Sequence, residues 1–154
     1  MPIDIVYADA RWKRLRLIEK KITKAYALTL SKRDAAKRTA LLLSNDKEVK
    51  DLNRDWRGKN KATNVLSFSA APQKVPRGEI RPLGDLILSY ETCAKEAKAS
   101  GKSLSDHAVH LTVHGLLHLV GYDHLNDADA TKMETTEIRI LAKLGIANPY
   151  VLEA

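Results

Sequence analysis

Apolar residues recur along this chain at two spacings, and these predict its elements in order. Ile3 to Ala8 is short, β-branched and alternating, which predicts a first strand. Asp9 is positioned to cap a helix, and from Trp12 the residues Leu15, Ile18, Ile22, Ala25 and Tyr26 recur at helical spacing. Ser31 to Arg38 reads as a basic connector. Thr39 to Ser44, T-A-L-L-L-S, is a continuous apolar run that predicts a central buried strand. Asn45 and Asp46 supply a cap for a short helix with Val49, Leu52 and Trp56 on its inward face and Gly58 at its end. Thr63 to Phe68 predicts a third strand, and Pro72, Pro76, Gly78 and Pro82 mark an irregular loop after it. Gly84 to Ser89 predicts a fourth strand, and Tyr90 to Ala99 a helix that stops near Gly101. Ser103 caps the next helix, with Asp106 three residues on as a partial capping box. Its apolar residues Leu111, Val113, Leu116, Leu117 and Val120 wrap widely around it, as expected of a central buried helix. Asn126 or Asp127 caps a last helix whose inward residues are Met133, Ile140, Leu141 and Leu144, ending at Gly145. The pattern predicts one α+β domain over residues 1–154, with a mixed four-stranded sheet and about five helices.

Charge narrows the choice of partner. Lys plus Arg number 26 against 19 Asp plus Glu, a net charge of +7 that favours an anionic partner such as nucleic acid. The basic face of the first helix, including Lys20 and Lys24, is either solvated or an RNA-backbone track. The single cysteine, Cys93, excludes an internal disulfide framework, fits a reducing cytosol and reads as a packing residue. The first ten residues carry Asp4 and Asp9 and lack a signal-peptide apolar run, and no stretch has the roughly 20 apolar residues of a membrane span.

The candidate chemistry lies between His110 and His124, which hold four of the five histidines. His110, His114 and His118 fall four apart, so on a helix they share one face. Gly121 offers a left-handed helix stop, and His124 follows the Tyr122–Asp123 turn. Two imidazoles one turn apart and a third returning from the loop form the three-histidine pattern of a catalytic zinc with an open fourth position. The spacing His114-x3-His118-x2-Gly121-x2-His124 equals that of the metzincin zinc proteases, but Gly115 stands where those proteases carry the general-base glutamate. His110 either supports a ligand histidine or simply packs, and His107 reads as solvated. Met133 either underlies the metal or is an ordinary core residue. Zinc bound in this way serves hydrolysis of esters, amides or phosphodiesters, and the charge excess favours the last. Arg57, beside Lys59 and Lys61 in a tight basic loop, offers a planar fork to a phosphate.

These residues also carry a resemblance. H-G-L-L-H-L-V-G-Y-D-H (His114–His124) resembles the signature H-G-x-L-H-L-x-G-Y-D-H of the YbeY family of bacterial rRNA-maturation endoribonucleases. L-N-R-D-W-R-G-K-N-K-A-T-N-V-L-S-F (Leu52–Phe68), L-G-D-L-I-L-S (Leu83–Ser89) and M-E-T-T-E (Met133–Glu137) resemble the family's other segments, in family order from about residue 40 to 145. The first 38 residues match only in element order. The resemblance implies a zincin-like site with one zinc per chain on His114, His118 and His124, and makes Arg57 and His114 catalytic. It implies a cytoplasmic, single-strand-specific endoribonuclease that matures the 3′ end of 16S rRNA, with the small ribosomal subunit and assembly factors as partners. Lys59 and Lys61 become candidate RNA contacts, and Asp85 contacts a partner, stabilises the site or ends a strand. Two other readings stand beside it. One is a zinc peptidase that takes its base elsewhere, for example from Glu134. The other is a ribosome-assembly binding factor whose zinc is structural.

Overall fold

The computed structural model describes residues 3–70, 76, 78–123 and 125–150. Its centre is a four-stranded mixed sheet. The strands are β1 (Ile3–Tyr7), β2 (Arg38–Ser44), β3 (Val65–Ser69) and β4 (Pro82–Ser89), in the order β1-β2-β4-β3. β1 and β4 run parallel to β2, and β3 pairs antiparallel with β4 along one edge. The helices are α1 (Ile18–Thr29), α2 (Lys32–Ala35), α3 (Asp46–Arg57), α4 (Tyr90–Ala99), α5 (Leu104–Leu119) and α6 (Asp127–Lys143).

Strand alternation divides the apolar residues between two faces. Leu41 and Leu43 of β2, with Leu86 and Leu88 of β4, meet α1, α5 and α6 in the main core. Leu66 and Ile87 point to the other face, where Val49 of α3 closes a smaller cluster. α5 lies deep in the main core, with ten of its sixteen residues buried, as its all-round apolar pattern predicts. Two close approaches set this packing. A Cβ on Gly115 of α5 would stand 2.7 Å from Leu86 Cδ2 and 3.2 Å from Ser67 Oγ, so any larger residue must displace the buried Leu86 side chain or lift α5 from the sheet. Gly84 in β4 has φ +155°, and a Cβ there would strike the backbone carbonyl of Phe68 and Leu119 Cδ2.

The mixed sheet and its four strands match the expectation, and the element ends are refined. The helix expected after Asp9 is broken: a 3₁₀ turn spans Ala10–Arg14, and Leu17 at φ 65° separates it from α1. The turn holds Trp12 wholly buried, with its indole N–H donating to the Ser44 carbonyl at 2.8 Å. The Ser31–Arg38 connector contains α2, capped by the Ser31 hydroxyl, and its last residue opens β2. Trp56 does not face inward: it is 73% exposed, and Asn53 is the buried residue of that turn. Its amide donates to the Lys61 carbonyl at 3.0 Å, tying this helix end to the loop that follows.

Gly84→Ala forces a side chain into a left-handed φ against backbone that cannot yield, so it should cost at least about 2 kcal/mol. Urea unfolding measures this; a wild-type midpoint would contradict the close approach.

Candidate metal centre

α5 begins where the Ser103 hydroxyl accepts the Asp106 N–H at 3.1 Å, the expected cap. It ends at Leu119, and the φ of 104° at Gly121 lets the Tyr122 N–H return to the Leu117 carbonyl at 2.9 Å. Between these ends His107, His110, His114 and His118 follow one another along one side.

The ring nitrogens of the last two converge. His114 Nε2 and His118 Nε2 are 3.1 Å apart. Two nitrogens each 2.0–2.1 Å from one tetrahedral ion lie about 3.3 Å apart, so the separation matches a shared zinc. The far side of His114 is held as a metal ligand requires. Its Nδ1 meets Glu137 Oε1 at 2.6 Å, which keeps the proton on Nδ1 and leaves Nε2 as the acceptor. The site therefore suits zinc on the observed geometry of two residues. His124, the third expected ligand, lies outside the described residues, and among the described residues no three histidine, cysteine or carboxylate side chains form a metal-binding group.

Glu137 is the hub of this arrangement. It comes from α6 and is wholly buried. Its Oε2 also meets His110 Nε2 at 3.0 Å and accepts the Tyr150 hydroxyl at 2.6 Å. Burial raises its pKa, but hydrogen bonds from His110, His114 and Tyr150 outweigh this and lower it to about 2. Burial and the Glu137 charge push the Tyr150 hydroxyl well above the ordinary tyrosine value. His110 is thus a partner of the carboxylate that orients His114. His107 is not solvated: it is 7% exposed, and its Nε2 meets Glu96 Oε1 of α4 at 2.9 Å. Burial holds its pKa below the ordinary histidine value, against the raising effect of Glu96.

Sequence reasoning passed over Glu137. Its signal is a carboxylate at an inward position, four residues after Met133 and three before Ile140. Glu134 is exposed, and Met133 is a core residue at 1% exposure. Cys93 is buried, and burial pushes its thiol up to about 12, in keeping with a packing role.

Arg57 ends α3, where Gly58 at φ 68° turns the chain. Its Nη2 donates to the Ser67 carbonyl at 2.8 Å, and its guanidinium carbon stands 5.4 Å over the Phe68 ring. Ser67, through its hydroxyl, is one of the two residues that Gly115 approaches, so a single residue of β3 lies between Arg57 and α5. Lys59 and Lys61 are exposed in the following loop. Asp85 alternates with the inward Leu86 and so faces the α3 side of the sheet, away from the histidines.

Known proteins align with this chain along most of its length. The family model for Endoribonuclease YbeY matches residues 7–145. A protein named Endoribonuclease YbeY from Ruegeria sp. (strain TM1040) is 44% identical, over 99% of this chain and 98% of its own. One of the same name from Bartonella quintana (strain Toulouse) is 43% identical, over 96% of each chain. Another from Sphingopyxis alaskensis is 53% identical, over 72% of this chain and 70% of its own. The solution structure of TM1509 from Thermotoga maritima superposes with a TM-score of 0.63 at 21% identity, covering 92% of this chain and 88% of that one, a likeness of fold.

Glu137→Ala strands two imidazoles and a phenol without their buried acceptor. With metal removed by chelator, it should lower unfolding free energy by on the order of 3 kcal/mol, and Glu137→Gln by less. A Glu137→Ala midpoint in urea equal to wild type would show that the carboxylate does not hold α5 to α6.

Proposed function

This chain belongs to the Endoribonuclease YbeY family, and from that premise we propose that it is a zinc-dependent endoribonuclease cutting single-stranded RNA at a site built on α5 and Arg57. The observation that carries the metal part is the convergence of His114 and His118 Nε2 at 3.1 Å, with Glu137 behind His114. His114, His118 and His124 would hold one zinc per chain, His124 on the strength of the sequence spacing alone. When bound, the ion supplies Lewis acidity toward a phosphodiester oxygen and a nucleophile near neutral pH.

The protein's own groups do the rest. Glu137 fixes the tautomer and direction of His114. Arg57 offers two parallel N–H donors to the non-bridging oxygens of a phosphate, where negative charge grows during cleavage. It leaves the Ser67 carbonyl to do so, a neutral partner exchanged for a charged one. Lys59 and Lys61 add exposed positive charge along the backbone path. A protease-like base is sterically disfavoured at position 115, because any side chain there meets Leu86 and Ser67. The exposed Glu134 is a weak substitute, which counts against the peptidase reading. We extend the proposal to maturation of the 3′ end of 16S rRNA in the cytoplasm, with the small ribosomal subunit and its assembly factors as partners. The net charge of +7 supports that setting, and no helix of the described residues is long and apolar enough to cross a membrane.

Two measurements test this reading. His114→Ala, His118→Ala and His124→Ala should each lose most of the bound zinc by elemental analysis and lower the wild-type Tm toward that of the chelated protein. Full zinc in two of the three variants would sink the ligand assignment.

Arg57→Ala should keep its fold and zinc but cut saturating single-stranded RNA at least about a hundredfold more slowly. Arg57→Lys should recover only part of that loss, since an ammonium lacks the planar fork. A wild-type rate for Arg57→Ala at saturation would reduce Arg57 to a binding residue.

A further inference from the structure

α1 opens on a strained residue. Leu17, its N-cap, has φ 65°, the only positive φ at a non-glycine position among the described residues, and its side chain makes no capping hydrogen bond. Asparagine or glycine bears that angle with less strain. Leu17 is also 66% exposed, so packing in this chain does not offset the strain. A strained backbone that presents a large apolar side chain to solvent is a pointer to function.

Leu17 lines a groove of about 290 Å³ between α1, the start of α5 and the end of α6. Val109, Leu144 and Ile146 supply its apolar lining, and Val109 and Ile146 are buried. Lys20, Lys21 and Lys24 also line it, and they share one helical stripe with Leu17. Lys21 reaches Asp106, the one carboxylate of the lining, at 3.9 Å. Lys20 and Lys24 are exposed and have no ion-pair partner among the described residues. No histidine of α5 belongs to this groove. We propose that it docks an acidic amphipathic helix of a partner protein, whose apolar side chains meet Leu17 and the Val109–Ile146 lining while its carboxylates meet Lys20 and Lys24. Charge complementarity and shape select that partner. A helix laid in a groove presents apolar anchors on one face and charges at its flanks, which answers both parts of this surface. An RNA strand would answer the lysines, but it would find no aromatic ring to stack on and no arginine fork for its phosphates. A membrane surface is flat, and this site is concave. The lysines also steer an acidic partner toward the groove, so the contact weakens with salt.

The test uses the full-length protein and a fluorescein-labelled peptide, E-L-E-E-L-L-E-E-L-E-E-L, whose leucines share one helical face. Fluorescence anisotropy should show saturable binding that weakens several-fold as salt rises from low to physiological strength. A peptide of the same composition with its leucines spread around the helix should bind about tenfold more weakly. Lys20→Glu with Lys24→Glu should lower the affinity for the first peptide at least about tenfold, through two reversed charges. Leu17→Gly, which suits φ 65° and so should keep Tm, should lower it several-fold. Oligouridine should bind the wild type and the double lysine variant alike. Absence of saturable peptide binding overturns the proposal, as does equal affinity of the wild type for the two peptides. Peptide binding that survives the lysine reversal overturns it as well, since the peptide then sits elsewhere. So does a loss of oligouridine binding in the double lysine variant, which makes this face an RNA track.

Discussion

A single buried carboxylate ties the functional half of this protein together. Glu137 has no water to solvate its charge, so it must be met by donors, and three donors come from two segments. His110 and His114 lie on α5, and Tyr150 lies beyond α6. Satisfying the charge therefore fixes the rotation of α5 against α6 and brings the chain after α6 back over both. The same bonds select the tautomer of His114, so the packing of α5 and the state of its imidazole rest on one group. A glutamine of the same shape would accept less strongly and would turn a donor toward one of the imidazoles.

The second constraint is distance. α5 packs this closely on Leu86 and Ser67 with no side chain at position 115, and at position 84 a Cβ would strike the β3 backbone itself. Both glycines lie along the line where α5 crosses β3 and β4. Through that line the histidines on α5 come near the end of α3, which is remote in sequence and carries the arginine fork. The charge pattern follows: the buried side of α5 is apolar with a stripe of histidines, of which His107 and His110 each bond through Nε2 and leave Nδ1 without a partner among the described residues, and the basic loop stays in water.

Much of this was legible in the chain. The apolar runs of β2 and β4, the Ser103 cap, the Gly121 stop and the shared face of His114 and His118 are local signals, and they hold. The misread features depend on contacts between distant segments. His107 looks like a solvated residue near a helix start until α4 brings Glu96 against it. Trp56 continues the helical stripe of Val49, yet that stripe runs out over a groove and not into a core. Glu137 sits at an inward position where hydrophobic periodicity alone expects an apolar residue, and its partners lie 13 to 27 residues away in the chain. A histidine ladder without an evident counter-charge is itself a prompt to search inward positions elsewhere for a carboxylate.

β3 closes the sheet on one side, and an open strand edge is a template for pairing with another chain. The Asn64 carbonyl and the Ala70 N–H both bond inward across the sheet, so by alternation the Ser67 carbonyl points outward at the free edge. Arg57 occupies that carbonyl. The guanidinium thus blunts a sticky edge: a second chain pairing there would first have to displace it from the Ser67 carbonyl, so the residue that closes the end of α3 also guards the sheet against self-association.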